Sequence, residues 1–131
     1  PAFGAAMDEG SDCALVRAAY YGDLDEVMAC LRRGADLEEL DRSDNSRPLH
    51  AAAMTGAVDV MKYLLRHRAE VNAPGPNRMT ALHYACRGDS ADMVRLVLDN
   101  GGSLEAVDEA GQTPSALCDA AGSRRARRAL D

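Results

Sequence analysis

The feature that most constrains this chain is a recurrence. Arg47-Pro48-Leu49-His50-Ala51-Ala52-Ala53 returns after 33 residues as Thr80-Ala81-Leu82-His83-Tyr84-Ala85-Cys86, and after another 33 as Thr113-Pro114-Ser115-Ala116-Leu117-Cys118. A unit of that length cannot bury its own apolar face. A fixed period therefore predicts a stacked array in which each copy covers the next.

The apolar pattern extends the recurrence in both directions. At an offset of 34, Leu49, Ala52, Ala53 and Gly56 match Leu15, Ala18, Ala19 and Gly22, while Met61, Leu65, Ala69 and Val71 match Val27, Leu31, Ala35 and Leu37. A further 33 residues give Leu82, Ala85, Cys86, Val94, Leu98 and Leu104. Each copy reads as two helices. In the first copy, Ser11 or Asp12 caps a helix with Leu15, Ala18 and Ala19 on one face, ending at Gly22. Asp23-Leu24-Asp25-Glu26 opens the second, with acids at the positive end of its dipole and Val27, Cys30 and Leu31 inward, and Arg32-Arg33-Gly34 closes it. The expected divisions are a leader over 1–10 and one domain over 11–131, with repeats at about 11–44, 45–77, 78–110 and 111–131. The last is a cap: a helix from Ser123 to Leu130 keeps Ala126, Ala129 and Leu130 on one side and its arginines elsewhere.

Composition narrows the function. The chain has 131 residues, 47% of them hydrophobic, with one Phe and no Trp, which predicts an aliphatic core rich in alanine. A net charge of −6 opposes general affinity for nucleic acid or anionic membrane, since both need a basic surface. No apolar run reaches the ~18 residues of a membrane span. Cys13, Cys30, Cys86 and Cys118 lack close CxxC pairing and read as reduced core thiols of a cytoplasmic or nuclear protein.

These residues resemble the ankyrin-repeat family. The segments at Arg47 and Thr80 stand at its Thr-Pro-Leu-His-x-Ala-Ala signature, Gly34-Ala35-Asp36-Leu37 at its Gly-Ala-Asp-Val, and Asp108 to Pro114 at its repeat opening. The resemblance implies an all-α solenoid of four stacked helix-turn-helix units with connecting hairpin loops. It also implies that His50 and His83 hydrogen-bond near the hairpin base and tie neighbouring repeats. Departures fall at Arg47, which replaces a capping Thr unless Ser46 serves, and at Arg68 and Asp89, which stand where other copies have glycine. Asn45 and Arg78 take the tip position of Gly111. Arg68 is expected to cost about 1 kcal/mol if its φ is positive.

Few groupings suggest chemistry. Arg87-Gly88-Asp89 spells an adhesive tripeptide but falls in register at a helix end. His83 and Cys86, at i and i+3, make two potential metal ligands, where a zinc site needs four. His67 sits in a helix's last turn, where positive charge is favourable. No nucleophile with a base, paired acids in a cleft or phosphate loop is visible, so neither an enzyme nor a cofactor is expected. The cluster Arg124, Arg125, Arg127 and Arg128 has two readings: the wet face of a capping helix, or a nuclear-import or acidic-partner contact. Without those arginines and Asp131, 11 basic and 20 acidic residues remain, a balance of −9.

The resemblance implies that a protein partner meets the concave face of each first helix and the hairpin tips. Carried over by register, the helix face comprises Tyr20 and Tyr21, Met54 and Thr55, Arg87 and Gly88, then Ala120 and Ala121. The tips supply Arg42, Asp44 and Ser46, then Asn77 and Met79, then Gln112. Tyr, Met and Arg are enriched in binding hot spots, which favours the first half of this surface, although either tyrosine would also serve to cover the array's end. The expectation is a monomeric, non-catalytic interaction module with one protein partner, no small-molecule substrate and no membrane insertion. The rival is a nuclear or nucleic-acid-associated adaptor working through the arginine cluster.

Overall fold

The structure, a computed structural model, describes residues 14–131. The expected leader, the caps at Ser11 and Asp12, and Cys13 lie outside the described residues. Among those described there are eight α-helices and no strand. They come in four pairs: α1 (Ala14–Tyr20) and α2 (Leu24–Arg32), α3 (Pro48–Thr55) and α4 (Val58–Arg66), α5 (Ala81–Arg87) and α6 (Ala91–Asp99), α7 (Pro114–Ala121) and α8 (Arg124–Leu130). The first helices pack in chain order, α1 on α3 on α5 on α7, and the second helices likewise, α2 on α4 on α6 on α8. This is the helical solenoid implied by the period.

Side-chain size explains the inner layer. α3 buries Leu49, Ala51, Ala52 and Ala53, and α5 buries Leu82, Ala85 and Cys86, so neighbouring backbones approach closely. Pro48 and Pro114 occupy the first turns of α3 and α7, where the missing amide costs nothing. Asp23, Ser90 and Thr113 accept from the amides of Glu26, Met93 and Ala116 at 3.1, 3.3 and 3.2 Å, capping α2, α6 and α7. Arg47 heads α3 without a side-chain acceptor and Ser46 does not take over; the Arg47 amide donates instead to His50 Nδ1 at 3.0 Å.

The outer layer corrects the expected core. Leu64 and Val97 are fully buried, whereas Leu65 and Leu98 are only partly covered. One residue turns the side chain about 100° around a helix. Val60, Met61 and Leu64 therefore point into the stack, while Leu65 rims a shallow groove between α4 and α6 with Lys62 and Leu96. Leu31 is likewise half-buried. Leu104 is 48% exposed, whereas its counterparts Leu37 and Val71 are partly buried.

Polar ties fix the repeat spacing. His50 Nε2 donates to Ala73 O at 2.8 Å and His83 Nε2 to Gln112 O at 2.9 Å, while His83 Nδ1 accepts from the Thr80 amide at 3.0 Å. Both nitrogens of each ring are used, which selects the Nε2–H tautomer. Burial pushes the His50 pKa down. Gly75 must remain small there, since a Cβ would stand 2.8 Å from His50 Cγ. In the loops, Glu38 Oε2 accepts from the Glu70 amide at 2.9 Å, and one repeat on Asn72 Oδ1 accepts from the Ser103 amide at 2.7 Å. The departures expected to sit in left-handed backbone do so: Asn45, Arg68, Arg78 and Asp89 have φ of 64°, 69°, 59° and 55°.

Candidate partner-binding surface

Tyr20 ends α1 and Tyr21 follows it in the turn, and their rings meet edge to face, with centroids 5.4 Å apart and planes at 90°. They are 47% and 75% exposed. Across from them, one repeat on, Met54 is half-buried near the end of α3. The first hairpin tip closes the third side. Its Asp41 amide donates to Ser46 O at 2.8 Å, whereas the later tips close one residue sooner, through Gly75 to Met79 and Asp108 to Gln112. The extra residue lies in the tip that carries Asp44.

Together these parts enclose a pocket of about 220 Å³ that unites Tyr20, Tyr21, Met54, Asp44 and Ser46. All five are among the surface residues named by register, although Ser46 is itself buried. Register missed Asp41, Arg17 and the apolar floor of Val16 and Ala51, which also line the pocket. Asp41 is held by the Ser43 amide at 2.8 Å and the Ser43 hydroxyl at 2.6 Å. Those bonds, with the Arg17 charge, keep its carboxyl below the usual carboxylate range. Asp44 Oδ1 accepts from the Ser46 amide at 2.9 Å. Asp41 carried a signal, because Asp-x-Ser is a turn whose side chain bonds the backbone two residues on.

The remaining predicted residues are scattered along the array. Thr55, Arg42, Asn77 and Arg87 are exposed. Thr55 Oγ1 donates to Ala51 O at 3.2 Å, and the Arg87 guanidinium lies 5.2 Å above the Tyr84 ring. Two placements on the open surface are corrected. Met79 is 5% exposed and Ser46 3%, because both hairpins turn these side chains inward as the chain re-enters the next first helix. Met79 sits at the base of a shallow depression between Asn77 and Glu109. Gln112 is half-buried, with its carbonyl on His83 and its amide on Asp108 Oδ1. Leu40 and Val107, 47% and 46% exposed at matching places two repeats apart, were missed; their hairpin positions follow no helical stripe.

The arginine cluster is split. Arg127 turns back onto α7, beside Asp119 and the Ser115 hydroxyl, while Arg124, Arg125 and Arg128 are exposed and Ala126 is buried. Asp89 of the adhesive-looking tripeptide accepts from the Ala126 amide at 2.9 Å and holds α8 in place. Among the described residues no group of three or more His, Cys, Asp or Glu is arranged to hold a metal ion, and no helix is long and apolar enough to cross a membrane. Cys30, Cys86 and Cys118 are free and buried, and burial pushes all three thiols up.

Comparison with known proteins agrees with this architecture. The family model described as ankyrin repeats in three copies matches residues 15–108. Similar relatives include transient receptor potential cation channel subfamily A member 1 of Drosophila melanogaster, 29% identical over 84% of this chain and 10% of its own. Diacylglycerol kinase iota of Mus musculus is 34% identical over 85% of this chain and 11% of its own. BCL-6 corepressor-like protein 1 of Homo sapiens is 32% identical over 79% and 6%. The chain thus spans about a tenth or less of these relatives, and the likeness to three proteins so differently named is to a structural unit they hold in common. Period, paired helices, histidine ties and the matched model all converge: the chain belongs to the ankyrin-repeat family.

Proposed function

We propose that this chain is a non-catalytic protein-interaction module that binds a protein partner on the concave side of its first helices and on its hairpin tips. The observation that carries the reading is the pocket at Tyr20, Tyr21, Asp44 and Met54. It brings exposed aromatic rings, a flexible thioether and a fixed carboxylate into one concavity on a stiff scaffold. Such groups form the energetic centres of protein interfaces. The core that holds the array lies elsewhere, in Leu49, Met61, Leu64, Leu82 and Met93.

The test is affinity capture with the wild-type chain beside Tyr20→Ala/Tyr21→Ala/Met54→Ala, with bound proteins quantified by mass spectrometry and both baits checked for equal thermal stability. The expected result is a protein retained by the wild type and depleted at least tenfold on the variant. Partners held equally by both baits would place the site elsewhere.

A further inference from the structure

We propose that the pocket between α1, α3 and the first hairpin tip receives an arginine side chain from a flexible segment of the protein partner. This rests on the function proposed above and assigns the chemistry that this pocket recognises.

Charge at the pocket argues for a cation. Asp41 and Asp44 line it against a single guanidinium, Arg17, so two carboxylates face one cation and the lining keeps an excess of negative charge. Both carboxylates are anchored through Oδ1 by the tip, at Ser43 and Ser46, so they are preorganised rather than waiting to be ordered by a ligand. The first tip, Asp41 to Ser46, holds two acids and one arginine, whereas the second, Gly75 to Met79, has no acid. An anionic occupant meets two fixed carboxylates. A purely aliphatic one would strip water from them without replacing their hydrogen bonds.

The rings select among cations. Two mutually perpendicular tyrosine rings line the pocket, and a ring face attracts a cation placed above it. A guanidinium can lie flat on a tyrosine while its in-plane N–H groups pair with a carboxylate; a lysine ammonium is a hydrated point charge without that fork. The floor of Val16, Ala51 and Met54 suits the aliphatic stem. Further along the array the Arg87 guanidinium likewise lies over a tyrosine ring, 5.2 Å from the Tyr84 centroid. The volume, about 220 Å³, suits one long side chain and not a folded element.

The probe is a random dodecapeptide display library panned on the immobilised 131-residue chain, followed by synthesis of the enriched peptide with arginine, lysine or citrulline at its anchor. Citrulline keeps the shape of arginine and removes its charge. The expected result is an enriched arginine whose replacement by citrulline raises Kd at least tenfold and by lysine at least threefold. Tyr21→Ala and Asp44→Asn should each weaken the arginine peptide similarly, with amide shifts confined to residues near Tyr20, Tyr21, Asp44 and Met54. Both side chains are exposed, and equal thermal midpoints exclude unfolding; two variants guard against either being unsound. Peptides that bind this pocket through an apolar or acidic anchor would overturn the arginine assignment and leave the proposed function standing. Failure to enrich any peptide at the pocket overturns the assignment too, and peptides that bind only other faces would count against both readings. Concentration-dependent dimers in sedimentation velocity, abolished by Arg124→Gln/Arg125→Gln/Arg128→Gln, would make a second copy the occupant and refute a separate partner.

Discussion

Glycine substitutions at Arg68 and Asp89 should move stability in opposite directions, although both residues stand in left-handed backbone where other repeats have glycine. Arg68 has φ +69°, and its counterparts Gly34 and Gly101 have +93° and +91°. An L-residue there carries about 1–2 kcal/mol of strain. Glycine removes that strain but frees the unfolded chain, returning about 0.4–1 kcal/mol, so Arg68→Gly should stabilise by about 0.5 kcal/mol. Asp89 has φ +55°, against +69° and +75° at Gly22 and Gly56, and Asp is the better tolerated residue there, so less strain is relieved. Its Oδ1 also accepts from the Ala126 amide in the first turn of α8, whose own N-cap residue Ser123 makes no side-chain cap bond. Losing that cap costs about 1 kcal/mol, and losing the charge at the positive end of the helix about 0.3–1 more. Asp89→Gly should therefore destabilise by about 1–2 kcal/mol. With a slope of about 2 kcal/mol/M the two variants should separate by about 1 M in urea midpoint. Amide exchange at Ala126 to Leu130 should quicken in Asp89→Gly alone, and Asp89→Asn, which keeps an acceptor oxygen, should fall between. The reasoning fails if Asp89→Gly matches Arg68→Gly in midpoint, or if Arg68→Gly drops below the wild type.

Three further outcomes follow from burial. Leu64→Ala should cost about 2–5 kcal/mol by chemical denaturation, while Leu65→Ala, half-covered at the rim of the stack, should cost less than half as much; equal losses would contradict the outer-helix register. Burial depresses the His50 pKa below its unfolded value of about 6.5, so the neutral ring's contribution is complete above that value and is lost as pH falls through it toward the folded pKa. The urea midpoint of the wild type should then drop more steeply from pH 7.5 to pH 5 than that of His50→Gln, and parallel profiles would refute the linkage. Cys86 and Cys118, adjacent across α5 and α7 with raised thiol pKa values, should be alkylated by iodoacetamide only as fast as the protein opens; peptide mapping that shows native modification at the denatured rate would disprove their burial.

The sequence displayed the stacking plainly because two periods reinforce each other: a helical stripe within each helix and the repeat length between copies. His50 and His83 were readable for the same reason, as each copy presents the same ring to the same hairpin carbonyl. What the pattern could not resolve was a rotation of one residue. Leu64 and Leu65 are both leucines on the apolar side of α4, and which of them is covered depends on how the neighbouring helices pack against it. Met79 and Ser46 were misplaced for a related reason. A hairpin tip has no period, and at its last residue the chain is already turning inward to start α5 or α3. The pocket was half legible: register supplied the tyrosines, Met54 and Asp44, but Asp41 lies at the start of the first tip, which is one residue longer than the others and where no helical stripe marks which residues face α1.

That extra residue shows how an array of near-identical parts acquires one distinctive place. The later tips span five residues, Gly75 to Met79 and Asp108 to Gln112, and their closing side chains include a buried Met79. The first tip spans six, Asp41 to Ser46, and leaves two carboxylates, each tied to its own loop, facing α1. The helix they face is also unusual: at the positions where the following first helices carry Met54 and Thr55, Arg87 and Gly88, then Ala120 and Ala121, it carries two tyrosines. Tyr84 makes the contrast clear. It is 4% exposed, and its hydroxyl donates to Pro76 O at 3.2 Å, so its ring is part of the structure. Tyr21 is 75% exposed beside a carboxylate-lined cavity, a position whose burial contributes little to folding and leaves the ring free for contact. Changing the first tip's length, by deleting Ser43, should therefore erase the pocket's acidic wall while leaving Leu49, Leu64 and Leu82 packed as before.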